Sequence, residues 1–417
     1  MTRRLTISIL SAALLALPGV VSAQGRDSRI KDAQDARIKI DTKVQIDISS
    51  QVSREIREAL RDVSSGIAEM MGDLGRDLGN IGRDIGRDVG RDISRDLGRE
   101  FRGLKYSDFK QDRNWRSSLD DRMTKTLSIG ANGTLELENF SGDITVTVGG
   151  GKDVTVEVIR SSHGRTDADA RTGLDRVRPE FDVVGTRATV RATYMDRPTS
   201  YSVSTDFIVR APAGTRVVVN SLRADVNITG IKGEIKVTTA SGDVVLTDVG
   251  SVQEAKTGAG DVTIKGSSID GELEAGTLSG DITLTDIKAR RINATTVNGS
   301  VVARDITCDN ASLSSIVGDI VYAGSITRGG RYEFTSNQGD VRFSPTGSAG
   351  YALQATSFTG DITSTIPLSN SETGRSLTGS NRDRGPRRRA ATAKVGDGSA
   401  TVTLQTFSGD ISIGRKQ

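Results

Sequence analysis

The sequence predicts an all-β fold, a parallel β-solenoid or β-helix-like repeat domain of about 20 residues per coil, preceded by a charged Gly-rich helical stalk. Three observations predict it. A glycine, an aspartate and a β-branched residue recur together at Gly242-Asp243, Gly260-Asp261, Gly280-Asp281, Gly318-Asp319, Gly339-Asp340, Gly360-Asp361 and Gly409-Asp410. With Gly299 included, the glycines from Gly242 to Gly360 stand 18, 20, 19, 19, 21 and 21 residues apart, a fixed period of the kind that marks stacked coils. Between them apolar and polar residues alternate, and shifting by one repeat places Ile282 over Val301, Leu284 over Ala303 and Ile287 over Ile306. A coil of this size cannot bury its apolar face alone, so such columns are what stacking requires.

Residues 1–23 carry Arg3 and Arg4, an apolar run and the small-residue ending Val21-Ser22-Ala23, the grammar of a secretory signal peptide cleaved after Ala23. That run is short for a bilayer span, and no other segment approaches ~20 apolar residues. The expectation is an exported protein, in the periplasm or at the bacterial cell surface, with no transmembrane span after cleavage.

Residues 24–110 form the stalk. From Leu74 through Leu78, Ile81, Ile85, Val89 and Ile93 to Leu97 the apolar residues step by four and three, a helical spacing, and glycines, arginines and aspartates fall into parallel rows. Seven glycines from Gly72 to Gly98 would weaken a lone helix by roughly 6 kcal/mol relative to alanine. Stable helix therefore requires a partner, and self-association through residues 72–98, with the glycine row allowing close approach, is one such pairing. A flexible charged stalk is the other reading. Alternating Arg and Asp gives the polar face no net positive charge to hold anionic lipid.

Residues 125–215 read as the β-rich N-terminal part of the repeat domain, with an excursion at 164–181 that includes a short helix ending before Pro179. Residues 216–417 carry the β-solenoid repeats and an Arg-rich loop at 381–390. At each corner glycine tolerates positive φ, aspartate bonds the local backbone and the β-branched residue starts the next strand. Seven or eight coils at about 4.8 Å would span about 35–40 Å.

Three phrases, "FIVRAPAGTRVVVNS" (207–221), "IKGEIKVTTASGDVVLTDV" (231–249) and "GSATVTLQTFSGDISI" (398–413), resemble the bacterial "putative adhesin" domain-of-unknown-function family, over roughly residues 130–413. The resemblance implies an exported or envelope-associated β-repeat protein. The stalk is not part of that domain, and "ADV" (224–226) and "NGS" (298–300) replace the Gly-Asp turn.

Composition narrows the chemistry. One cysteine excludes an intramolecular disulfide and a cysteine-based zinc site, and one histidine with 4% aromatic residues is a poor inventory for a catalytic pocket. The 56 basic and 53 acidic residues balance to +3, which argues against nucleic acid as a partner. The turn aspartates could hold calcium, but one carboxylate per coil falls short of the six to eight oxygens the ion takes. A carbohydrate-active β-helix lyase or hydrolase is the alternative to a binding module, and Asp286, Lys288, Arg290, Arg291, Arg304 and Asp305 are its candidate cluster. His163 reads as a loop residue and Cys308 as a small semi-buried one. Arg382, Arg384, Arg387, Arg388 and Arg389 could contact an anionic envelope polymer. The sequence thus points to a non-enzymatic, envelope-associated binding or scaffolding module, adhesin-like, whose envelope or protein partner it does not name. No catalytic, cofactor-binding or metal-binding residue is assigned.

Overall fold

The computed structural model describes residues 115–192, 200–370 and 389–414. The signal segment, the stalk and Arg382, Arg384, Arg387 and Arg388 lie outside the described residues. Residues 1–76 and 77–417 are separate units, and every described residue belongs to the second.

Each coil runs one strand into the Gly-Asp corner and another away from it. The leading strands Glu234–Ser241, Ser251–Ala259 and Glu272–Ser279 pair in parallel to form one sheet. The trailing strands Val226–Thr229, Val244–Thr247 and Val262–Ser268 form a second. In the middle of the stack the strands Ile282–Asn298 and Val301–Val317 wrap from the trailing sheet round to the leading one, and their register pairs Ile282 with Val301, Leu284 with Ala303 and Ile287 with Ile306.

A second corner falls six residues after the first, at Gly230, Asp248, Gly266, Asp286 and Asp305, all left-handed with φ between 53° and 77°. Aspartate visits this region more readily than most residues, so it can replace glycine there. The inner column is aliphatic through most of the stack. Toward the C-terminal end it becomes aromatic, with Tyr322, Tyr332, Phe334, Phe343 and Tyr351 packed at centroid separations of 4.8–6.0 Å.

Leu284 is fully buried, while Thr283 on the outer face of the same strand is not. Leu284→Asp would place an unpaired carboxylate in the apolar column and is expected to cost several kcal/mol, roughly 3 or more. Thr283→Asp is expected to cost under about 1 kcal/mol. Equal shifts of the two in thermal denaturation would contradict the assignment of inner and outer faces.

The order of coils in space departs from the order in the chain at both ends. Strand Thr134–Ser141 lies between Arg187–Ala192 and Arg216–Arg223, and Ile144–Val148 lies between Tyr201–Ala211 and Val226–Thr229. The first coil of the chain therefore sits one place inside the end of the stack. At the other end Ala400–Ser408 lies between Arg331–Gln338 and Tyr351–Ser357, and Ile411–Ile413 between Val341–Thr346 and Ile362–Ser364. The even spacing of Gly339 and Gly360 reads as two stacked neighbours, but the coil of Gly409 is inserted between them.

Antiparallel strands close both ends. Ser117–Leu127 pairs with Val154–Gly164, which pairs with Tyr201–Ala211, and Glu180–Val184 pairs with Arg187–Ala192. Arg389–Val395 covers Tyr351–Ser357 at the C-terminal end. The helix Asp167–Arg176 is the excursion expected before Pro179. Thr166 caps it by accepting from the Asp169 amide, and Asp167 and Asp169 complement the positive end of its dipole.

Candidate binding surface and corner ladders

The turn aspartates are joined from coil to coil. Asp206 accepts the amide of Asp143, Asp143 that of Asp225, Asp225 that of Asp243, Asp243 that of Asp261 and Asp261 that of Asp281. The series continues through Ser300, Asp319, Asp340 and Asp410 to Asp361, all donor–acceptor distances in the ladder lying between 2.7 and 3.4 Å. The expected local bond is thus replaced by one across coils, because the carboxylate points along the stack. Ten steps of about 4.8 Å carry the ladder about 48 Å, longer than the repeats after residue 216 alone would reach.

A second ladder runs beside it. Three residues before the corner, the hydroxyls of Thr257, Thr277, Thr296, Ser315, Ser336, Thr406 and Ser357 donate to the carbonyls of Gly242, Gly260, Gly280, Gly299, Gly318, Gly339 and Gly409 at 2.8–3.0 Å. Gly280, at φ +154°, lies so close to the preceding coil that a Cβ would stand 2.0 Å from the Gly260 carbonyl oxygen. The recurring Thr-x-Ser-Gly-Asp phrase is therefore a joint: hydroxyl to carbonyl, glycine against carbonyl, carboxylate to amide. Ala224 and Ser300 keep parts of the joint where the phrase departs from Gly-Asp.

Burial acts first on Asp143, with the charges of Asp206 and Asp225 adding to it, and its carboxyl is raised above the usual aspartate range. Arg342 bridges two steps, reaching Asp319 at 3.1 Å and Asp340 at 3.0 Å. Arg389 begins its strand and pairs with Asp361, so one of the five arginines proposed for polymer contact lies at the ladder's last corner. Among the described residues no group of three His, Cys, Asp or Glu side chains gathers closely enough to hold a metal ion.

In the cluster considered for carbohydrate chemistry, Asp286 and Asp305 stand at the same corner of adjacent coils. Asp286 and Asp305 are left-handed second corners, and Arg291 faces Glu272 at 3.8 Å. His163 is in the strand Val154–Gly164, not in a loop, paired in register with Ser118 and Ser202. Cys308 is fully buried, and burial pushes its thiol up to about 12. At pH 8 iodoacetamide is expected to leave native Cys308 unmodified and to alkylate it once the chain is unfolded; prompt labelling of the native protein would contradict this placement.

Sequence reasoning missed a charged group on the outer face of the leading sheet. Lys256 pairs with Glu274 at 2.8 Å and Glu254 at 3.0 Å, and Lys236 reaches Glu254 at 3.2 Å. Burial alone would lower the Lys256 ammonium, but its hydrogen bond with Glu274 and the two carboxylate charges outweigh that and hold it above the usual lysine range. The signal in the sequence is "KVTTAS", "QEAKTGA" and "ELEAGTLS", where charges and small residues occupy the positions between inward-facing ones.

The family model of Toastrack DUF4097 matches residues 134–414, which is most of the chain and all of the stacked coils. The chain belongs to the Toastrack DUF4097 family. Its boundaries begin at the leading strand of the first coil and end just after the last trailing strand. No curated protein matches the chain. Among solved structures, a "putative cell adhesion protein" from Clostridium sporogenes aligns at 10% identity over 72% of this chain and 100% of that one, with a TM-score of 0.20.

Proposed function

We propose that this Toastrack protein is an exported, non-enzymatic module that binds or scaffolds components of the cell envelope, in the manner of an adhesin. One observation supports the reading above the others. The most repeated chemically capable side chains, the corner aspartates and the buried Ser and Thr hydroxyls, are bonded from coil to coil, so their repetition serves the stack. What the stack offers outward is a regular face of residues such as Asn293, Thr295, Ser312 and Ser314, suited to an extended partner rather than to a small substrate. Export would bring that face into contact with envelope polymers, and Arg389 places a basic side chain near one end.

Fractionation of cells combined with mass spectrometry tests both parts. The mature protein is expected to begin at Gln24, to appear in the envelope fraction, and to bind purified envelope polymer saturably without generating reducing ends. A cytoplasmic protein retaining its first 23 residues would overturn the export reading. New reducing ends would overturn the non-enzymatic one in favour of a carbohydrate-active enzyme.

A further inference from the structure

The outer face of the leading sheet is covered in its N-terminal part, up to the coil of Gly276, whereas the coils of Thr295 and Ser314 that continue the same row are partly open. Val237, Ala255 and Ala275 point into the core, so Thr238, Lys256 and Gly276, paired in register, point outward. Outward residues of a single exposed sheet keep their tops open to water. Here Lys256 is 1% exposed, Thr238 0% and, two coils nearer the N-terminal end, Glu138 7%. The Thr238 hydroxyl has no hydrogen-bond partner among the described residues. At the start of this strip Tyr201 and Val203 lie against Phe140 and Leu222, whereas from Thr238 to Gly276 no described helix or strand beyond the neighbouring strands packs closely on it.

The covered strip has a definite chemistry. Along one side runs an apolar and small row, Phe140, Leu222, Ala240, Gly258 and Leu278; along the other lie Lys236, Glu254 and Glu274. Between them Gly276 leaves a shallow floor. We propose that the occupant is this chain's own segment 77–100. That segment repeats four rows, apolar (Leu78, Ile81, Ile85, Val89), glycine (Gly79, Gly82, Gly86, Gly90), arginine and aspartate. Apolar residues would meet the Phe140–Leu278 row, glycines would permit close approach over Thr238 and Gly276, and the mixed charges would meet Glu254, Glu274 and Lys236. The strip from Glu138 to Gly276 crosses four coil steps, about 19 Å, the length of a helix of about 13 residues.

The chain also arrives at the right place. Ser117 pairs with Gly164, Gly164 with Tyr201, and Tyr201 packs with Phe140 and Leu222 at the start of the strip. The same docking supplies the partner that the stalk's glycines demand.

The test uses the full mature chain with Thr238→Cys, a near-isosteric change, and follows maleimide labelling; native Cys308 is buried. Thr283→Cys, on the outer face of the trailing sheet, sets the exposed rate. Thr238→Cys is expected to label at least tenfold more slowly, and adding Ile81→Asp, Ile85→Asp and Val89→Asp, none of them in a described strand, is expected to restore the exposed rate with the β-sheet circular dichroism unchanged. Equal rates at Thr238→Cys and Thr283→Cys, or protection that survives the triple change, would overturn the proposal. Protection lost on dilution would also overturn it, because a second copy would then be supplying the cover.

Discussion

Gly280→Val is expected to destabilise the protein by about 4 kcal/mol or more, placing it among the exceptional single substitutions. Two independent effects combine. A β-branched residue strongly disfavours the positive φ that Gly280 adopts. Its Cβ would also stand 2.0 Å from the Gly260 carbonyl oxygen, a backbone atom held by the strands on either side and by the hydroxyl of Thr277. Relief would require the coils to separate, and that would break the parallel pairing of Ile282 with Val262 and the ladder bond from Asp281 to Asp261. The melting temperature is expected to fall by roughly 8 °C or more. The neighbouring change is the control: Asp281→Asn keeps an oxygen that can accept the Ser300 amide, now bonded at 2.7 Å, and is expected to cost under about 1 kcal/mol. Asp281→Ala leaves that amide without its acceptor and is expected to cost about 1–3 kcal/mol. Calorimetry on the three variants checks the ranking, and a Gly280→Val protein no less stable than Asp281→Asn would contradict the corner geometry.

Deleting residues 400–417 is expected to do more damage than loss of a chain terminus ordinarily does. In an ordinary solenoid the last coil in the chain is the last in the stack, and its removal uncovers one edge. Here it uncovers two, Arg331–Gln338 on one side and Tyr351–Ser357 on the other. The deletion also removes Val402, Leu404, Ile411 and Ile413 from the core, each fully or almost fully buried. At about 1.5–3 kcal/mol for each side chain the loss is roughly 6–12 kcal/mol, comparable with the whole net stability of a domain. Residues 351–364 and the capping strand Arg389–Val395 are expected to lose amide-exchange protection together, with protease cleavage appearing after Thr346. A truncated protein that melts within a few degrees of the intact one, with 351–364 still protected, would show that the C-terminal coil is not intercalated.

These two results also mark where sequence reading succeeds and where it stops. Glycine spacing and the alternation around Leu284 reveal a period because every coil must solve the same packing problem with the same kinds of residue. The Asp167–Arg176 helix is legible because Thr166 and Pro179 bracket it. The intercalation at each end is hidden for the same reason that the period is visible. All corners carry the same joint, so Gly339 can receive the corner of Gly409 as well as that of Gly360, and no residue type distinguishes them. The aspartate partner is misjudged because sequence neighbours suggest a local bond, while the acceptor in fact meets an amide about 20 residues away, or 70 in the case of Asp340 and Asp410. His163 reads as a loop residue from its Ser-Ser-His-Gly setting, yet pairing on both edges holds it in a strand. The buried Lys256 pair needs knowledge of what covers the sheet, and local pattern carries none.

The claim at the centre of this account is that the repeated Gly-Asp corners are architecture. Each aspartate before the last gives one oxygen to the next coil's amide, and each coil adds a single corner carboxylate to the ladder except that of Gly299, where the Ser300 hydroxyl takes its place. The direct measurement is the melting temperature of the intact mature protein with and without excess EDTA. The account predicts no change, whereas a chelator-induced fall of more than about 5 °C would contradict it and make the aspartate ladder a metal site.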